Sequence, residues 1–344
     1  MEKRTEIDEL GEFGLIERIQ SKVETYNPET IKGIGDDSAV IKSGEQVMLV
    51  SSDLLLEGVH FDLSYMPIQH LGYKSVVVNA SDIAAMNGIA KQVTVNLGLS
   101  SRISVEAVDK FYEGVNSACK NYKLDLVGGD TSSSPAGLII SVTAMGVADP
   151  KEVSYRSGAR DKDIICVTGD LGGAYTGLQV LEREKQVFLS NPEMQPKLEG
   201  YDYIVQRQLK PEARIDIIHE LKELGIVPTS MIDVSDGLAS DLLHITHQSS
   251  VGARIFEDKL PIDQLTYQVA VEFKLDPITC VLNGGEDYEL LFTISQGDFE
   301  KVEKHPDIHF IGYVEKDSKE VGLVTKNEQW VPISAQGWNH FQKD

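Results

Sequence analysis

The sequence predicts an α/β (α+β) fold, an N-terminal α/β half followed by a C-terminal α/β domain. Three observations carry the prediction. Apolar runs of strand length alternate with stretches of helical period from residue 15 to residue 147. A polar segment, residues 149–163, interrupts the alternation, which resumes at 164–167 (I-I-C-V). The ending V-G-G-D at 127–130 is echoed by T-G-D at 168–170, a hint of duplication too short to prove one. The expected domains are therefore residues 1–150 and 151–344.

In chain order, G-E-F-G (11–14) leads into a helical pattern, L-I-E-R-I, that Val23 continues and Asn27-Pro28 closes. I-G-D-D-S (34–38) follows, then the strand A-V-I (39–41). Asp36 and Asp37 after a glycine read either as an ordinary Asp-rich turn or as a carboxylate pair for a divalent cation. Residues 47–50 (V-M-L-V) fit a short buried strand ending in Ser51-Ser52-Asp53, with Gly58-Val59-His60 at the same rim. Hydroxyls and a carboxylate are hard ligands suited to Mg²⁺; the same residues also suit an N-cap opening a helix.

Residues 69–86 read as a helix carrying Asp82 among Val76, Val77, Val78, Ala80, Ala84 and Ala85. A carboxylate there is costly to bury unless paired or metal-bound, and otherwise belongs on a polar side of the helix. A strand at 93–99, a helix at 105–122 bearing Tyr112, and a strand at 124–127 follow. That strand ends in Gly128-Gly129-Asp130 and a run of hydroxyls, where glycines let a backbone approach phosphate. The strand 138–147 completes the first half. Arg156, Gly158 and Arg160 lie in the connecting segment.

In the second half, helices are expected at 174–183 and 213–224, around a polar insertion at 188–203. Period-2 spacing in M-I-D-V-S-D-G-L (231–238) puts Asp233 and Ser235 on one strand face, with Asp236 placed to cap the next helix. N-G-G-E-D-Y-E (283–289) precedes the apolar L-L-F, short strands follow at 310–311 and 323–324, and Trp338 lies near the end.

Composition narrows the function. A net charge of −22, from 54 acidic and 32 basic residues, excludes a nucleic-acid partner, which needs a Lys/Arg surface. Three scattered cysteines form no CxxC pair, disulfide framework or zinc site. The first ten residues lack the apolar core of a signal peptide, and the longest apolar run, 138–148, falls short of the roughly 20 residues needed to cross a bilayer. A cytoplasmic protein without a membrane partner is expected. There is neither a G-x-x-x-x-G-K-[ST] loop nor an H-R-D/D-F-G pair, so neither P-loop nor protein-kinase machinery is supported. Instead Asp36-Asp37, Asp53, Asp82, Asp130, Asp233-Asp236 and Glu286-Asp287 form a series at strand ends and glycine turns. Such a series can hold several Mg²⁺ ions around a triphosphate.

The ordered blocks G-E-F-G-L-I, G-I-G-D-D, S-S-D-L-L-L-E-G-V-H-F, V-N-A-S-D-I-A-A-M, V-G-G-D-T, R-S-G-A-R, P-E-A-R-I, D-V-S-D-G-L, G-G-E-D-Y-E-L-L-F and a late G-W span nearly the whole chain. Together they resemble the thiamine-monophosphate kinases of the aminoimidazole ribonucleotide synthetase and selenophosphate synthetase superfamily. The resemblance implies an N-terminal half whose strands form a β-barrel in a homodimer. It implies transfer of the ATP γ-phosphoryl group to thiamine monophosphate, with several Mg²⁺ ions as cofactor and no acid/base residue. Carried over by motif, Asp37, Ser51, Ser52, Asp53, Asp82, Asp130 and Asp233 are the expected Mg²⁺ ligands, with Asp236 a further candidate and Asp36 a lesser one. Tyr112, Gly129, Asp130, Arg156 and Ser235 are expected at ATP. His60, Glu286 and Trp338 are expected at the thiamine phosphate, whose cationic thiazolium suits an aromatic face and a carboxylate. Two rival readings are a cyclo-ligase of the same superfamily and a non-catalytic acidic cation-binding protein.

Overall fold

The computed structural model describes residue 7 and residues 10–335. Trp338 lies outside the described residues. The first half contains α1 (Gly11–Gln20), β1 (Thr30–Lys32), β2 (Ala39–Ser43), β3 (Gln46–Leu56), α2 (Ile68–Ala85), β4 (Ile89–Leu99), α3 (Val105–Tyr122), β5 (Asp125–Ser133) and β6 (Ile139–Ala148). Its sheet runs β1-β2-β3-β6-β4-β5, antiparallel except for the parallel pair β4·β5. Residues 149–163, free of helix and strand, then lead to the second sheet.

The second half contains β7 (Ile164–Thr168), α4 (Gly173–Ser190), α5 (Asp202–Leu209), α6 (Ile215–Glu223), β8 (Ser230–Asp233), α7 (Leu238–Ser249), β9 (Gly252–Phe256), α8 (Gln264–Glu272), α9 (Pro277–Asn283), β10 (Leu290–Ile294), α10 (Phe299–Val302), β11 (Ile308–Glu315), β12 (Val321–Val324) and β13 (Trp330–Pro332). Its seven strands are ordered β13-β12-β9-β11-β7-β10-β8, antiparallel except for β9·β12. Among the described residues, no helix is long and apolar enough to cross a membrane.

Helix α2 joins the two halves. Fourteen of its eighteen residues are buried, so it has no solvent face and must be covered on all sides. It packs on α3, β3, β4 and β6 of its own half and meets β8, α5 and α6 of the second half. The largest apolar cluster accordingly crosses the boundary, from Val76, Val77 and Ile83 to Met231, Leu290 and Phe292. A second cluster, under α7 and α9, fills the far face of the second sheet with Ile165, Val167, Ile232, Leu242 and Leu291.

Three of the differences from the sequence expectation bear on the site. Strand β3 continues through Ser51-Ser52-Asp53 to Leu56, because a polar triplet can alternate faces as well as an apolar one. Strand β5 runs through Gly128-Gly129-Asp130 to Ser133. Gly129, at φ +157°, lies against β4 so closely that a Cβ would sit 1.8 Å from the Val95 carbonyl oxygen. Strand β8 ends at Asp233, leaving Ser235 and Asp236 in the bend before α7 rather than on a strand face.

Candidate metal and substrate cleft

A cleft of about 890 Å³ opens between the two halves. Its floor is made by β3, α2 and the bend after β8; the loop 283–289 and the turn after β3 form its walls. Alternation along β3 turns Ser51 and Asp53 inward, onto α2. Ser51 Oγ hydrogen-bonds Asp82 Oδ2. The Asp53 N–H donates to Asn79 Oδ1 at 3.0 Å. Between Asn79 and Asp82 on α2, Ser81 reaches the other domain and donates to Asp233 Oδ2 at 2.6 Å. Asp37, in the bend before β2, completes the group. Asp37, Asp82 and Asp233 each offer a carboxylate oxygen, and these atoms all lie within 4.8 Å of one another.

Burial perturbs every member, and like charge adds to it at all but Asp53. Burial alone raises the Asp53 carboxyl to about 6. Burial and the neighbouring Asp37 raise Asp233 to about 7, against the hydrogen bond from Ser81 and the charge of Arg156. Burial, then the charges of Asp53, Asp233 and Asp37, hold Asp82 well above the ordinary carboxylate range. Asp37 is also raised by burial, although Arg156 opposes it. Arg156 supplies the cation: Nη2 and Nε lie 2.6 and 3.1 Å from Asp37 Oδ1, and its backbone N–H donates to Asp36 Oδ1 at 2.9 Å. Asp37 Oδ2 is buried with no hydrogen-bond partner. An all-oxygen donor set with an orphaned, desolvated carboxylate oxygen fits a hard divalent cation.

Of the other expected site residues, His60, Ser235, Asp236 and Glu286 line the cleft with Asp53, Asp82 and Asp233. His60 Nδ1 accepts the Leu56 N–H at 3.0 Å, so that nitrogen is unprotonated. Asp236 stands one residue before the N-cap position of α7, which belongs to Gly237, whose φ of +109° suits glycine. Asp36 stands beside the cluster in a 3.2 Å ion pair with Lys32.

Four expected residues lie elsewhere. Ser52 faces away from α2, its hydroxyl within 3.2 Å of the Val142 carbonyl and 3.0 Å of Thr143 Oγ1, because β3 alternates. Tyr112 packs edge-on against Phe111 of α3, and Gly129 and Asp130 lie on the exposed edge strand β5. None of these four lines the cleft.

Several residues not singled out in the sequence support the site. Lys74 of α2, 2% exposed, reaches across the domain boundary to Glu286. Asp241 of α7 is buried, with one oxygen unpartnered, and is raised well above the usual range by burial and then by Asp236 and Asp233. Arg207 and Arg214 grip Glu289 beneath the loop 283–289. A charge inside an apolar helical run marks Lys74, in G-Y-K-S-V-V-V, just as it marks Asp82.

Comparison with known proteins shows the family of the chain. Residues 35–148 match the model of the AIR synthase related protein, N-terminal domain, and residues 162–330 that of the AIR synthase related protein, C-terminal domain. The chain is 34% identical to a thiamine-monophosphate kinase of Aquifex aeolicus over 340 residues, covering 97% of this chain and 99% of that one. It is 34% identical to a thiamine-monophosphate kinase of Bacillus subtilis, covering 97% and 100%. A solved structure described as AaThiL complexed with AMPPCP and TMP superimposes with a TM-score of 0.83, at 34% identity, covering 98% of this chain and 99% of that one.

Proposed function

The chain belongs to the thiamine-monophosphate kinases, within the AIR synthase related proteins, and from that premise we propose that it phosphorylates thiamine monophosphate with ATP. The γ-phosphoryl group moves to the acceptor's phosphate, giving thiamine diphosphate and ADP. The observation that carries this reading is the meeting of Asp37, Asp82 and Asp233, from three separate segments, with Asp82 and Asp233 lining one cleft beside Asp53, and Asp37 buried behind them. Two anionic substrates cannot approach an acidic floor without cations between them.

Asp37, Asp53, Asp82 and Asp233 would hold Mg²⁺, a reading that the orphaned Asp37 oxygen and the all-oxygen donor set support. Bound there, Mg²⁺ supplies the charge neutralisation that lets two phosphate groups meet and stabilises charge on the transferring group. Ser51, Asn79 and Ser81 fix the floor: Ser51 and Ser81 hydrogen-bond Asp82 and Asp233, and Asn79 pins the Asp53 backbone. The acceptor is a phosphate monoester, largely dianionic near neutral pH with a second pKa of about 6. It needs in-line positioning and no general base, so transfer is direct. Arg156, paired with Asp37 beside the cluster, would be the guanidinium that meets a nucleotide phosphate. The working form is a cytoplasmic homodimer, joined through the first sheet; β5 supports this as an exposed edge strand carrying Leu126 and Val127.

The test is a product assay with Mg²⁺, ATP and thiamine monophosphate. Thiamine diphosphate and ADP are expected one for one, with activity falling at least about a hundredfold in Asp53→Asn. ADP and inorganic phosphate without thiamine diphosphate would move the reading to a cyclo-ligase of the same superfamily. No nucleotide turnover at all would leave an acidic cation-binding protein.

A further inference from the structure

Helix α2 keeps the charged side chain of Lys74 buried, and the acidic cleft floor gives it no role. Its ammonium leaves the first domain and meets two groups of the second, Glu286 Oε2 and, at 3.1 Å, the Gln208 carbonyl oxygen. Glu286 is held from three sides: Lys74 and Gln208 Nε2 (3.1 Å) donate to Oε2, and the Tyr288 hydroxyl donates to Oε1 at 3.2 Å. Gln208, Glu286 and Tyr288 line the cleft, whereas Lys74, behind them, does not. The loop presenting Glu286 is backbone-strained, with φ of +62° at Glu286 and +54° at Tyr288, so something must hold it in place.

An ionised carboxylate offers about four acceptor positions. Three of those on Glu286 are taken by the protein, and its charge is cancelled by an ammonium in direct contact. What remains toward the cleft is a neutralised hydrogen-bond acceptor. Such a group selects a ligand N–H donor and does little for a cationic ring, which departs from the charge pairing with thiazolium expected from the sequence.

We propose that Lys74 is a positioning residue that fixes and neutralises Glu286, so that Glu286 recognises an amine N–H donor on the phosphate-accepting substrate. The inference rests on the kinase reading and deepens it: thiamine monophosphate carries such a donor in its exocyclic amine. Removing the ammonium leaves a half-buried carboxylate unpaired, and a mispositioned acceptor no longer discriminates for that amine.

The experiment measures kcat and both KM values for wild type, Lys74→Met and the double variant Lys74→Met/Glu286→Gln. Acceptors are thiamine monophosphate and its analogue with a carbonyl in place of the exocyclic amine. Lys74→Met is expected to raise the KM for thiamine monophosphate by about tenfold, with the KM for ATP within about twofold. Its preference for the amine over the carbonyl analogue should shrink by a similar factor. In the double variant a neutral amide oxygen replaces the carboxylate as acceptor and needs no ammonium, so most of the lost acceptor affinity should return. An unchanged acceptor KM in Lys74→Met would overturn the inference, as would equal rises for both substrates. A double variant as impaired as the single one would do the same, and it also covers the case in which Lys74→Met alone fails to fold. Wild type making no thiamine diphosphate would instead sink the kinase reading itself.

Discussion

At the scale of single residues, the site is a set of carboxyls held where they resist ionisation. Burial raises Asp53 to about 6 and, together with Asp37, raises Asp233 to about 7. Each raised carboxyl binds protons in the folded state at pH values where the unfolded chain has released them. The contribution of these two groups to the stability of the metal-free protein is therefore full below the ordinary carboxylate pKa of about 4 and is lost as pH rises through 6 to 7. A divalent cation binds the ionised form, so its stabilising effect grows over the same window as it displaces fewer protons. Thermal unfolding with and without Mg²⁺ checks this. The rise in Tm on adding Mg²⁺ should be larger at about pH 8 than at about pH 5.5, and Asp233→Asn should flatten the dependence. An equal rise at both pH values would show that these carboxyls do not hold the ion.

At the scale of elements, α2 and the loop 283–289 do the positioning, and they are not equally legible in the sequence. Asp82 stands out as an acid among small apolar residues, and Asp37, Asp53 and Asp233 through their motifs. The burial of α2 on all sides, which makes Lys74 and Ser81 reach the second domain, depends on tertiary packing that no local period encodes. Strand β3 reads as ending at Val50 because S-S-D breaks the apolar run, yet alternation simply continues and sends Ser52 to the opposite face. In the loop, alternation separates two tasks. Glu286 and Tyr288 face the cleft, while Asp287 accepts the N–H groups of Gly172 and Ala174 at 2.7 and 3.2 Å, tying the loop to the start of α4. Glu289, 2% exposed, accepts from Arg207 Nη1 at 2.8 Å, Arg214 Nη1 at 2.7 Å and Thr168 Oγ1 at 2.5 Å. Glu289→Gln keeps the shape and removes the charge beneath two buried guanidinium groups. Both arginines retain other acceptors, so the expected loss is on the order of 2–3 kcal/mol in urea unfolding, below the full cost of a stranded buried ion. A loss under about 0.5 kcal/mol would mean that the loop is held by its backbone contacts alone.

At the scale of the whole molecule, the arrangement is two sheets with α2 clamped between them, and among the described residues the first sheet ends on β5 without a further strand. All nine residues of β5 are exposed, among them Leu126 at 37% and Val127 at 55%. An open edge with apolar side chains is a pairing surface that single-chain proteins normally blunt with charge, proline or a covering loop. Here Asp125 and Asp130 flank Leu126, Val127 and two glycines, hydroxyls follow, and no proline interrupts the strand. Pairing with a second copy satisfies the edge's backbone groups and covers Val127, in line with the homodimer proposed above. Sedimentation velocity at micromolar protein is the check. The wild type should sediment as two chains, and Val127→Lys, which places a charge in the middle of the edge, should shift the population toward one chain without lowering helix content. A wild type that sediments as a single chain, or a variant that remains fully dimeric, would place the contact elsewhere. The outcome also bears on Gly129 and Asp130, which the family motif assigns to nucleotide and metal but which this fold sets on the same strand, away from the cleft lining. If Val127→Lys gives monomers whose KM for ATP rises while the KM for thiamine monophosphate holds, the edge strand takes part in nucleotide binding through the dimer; matched changes in both would confine its role to assembly.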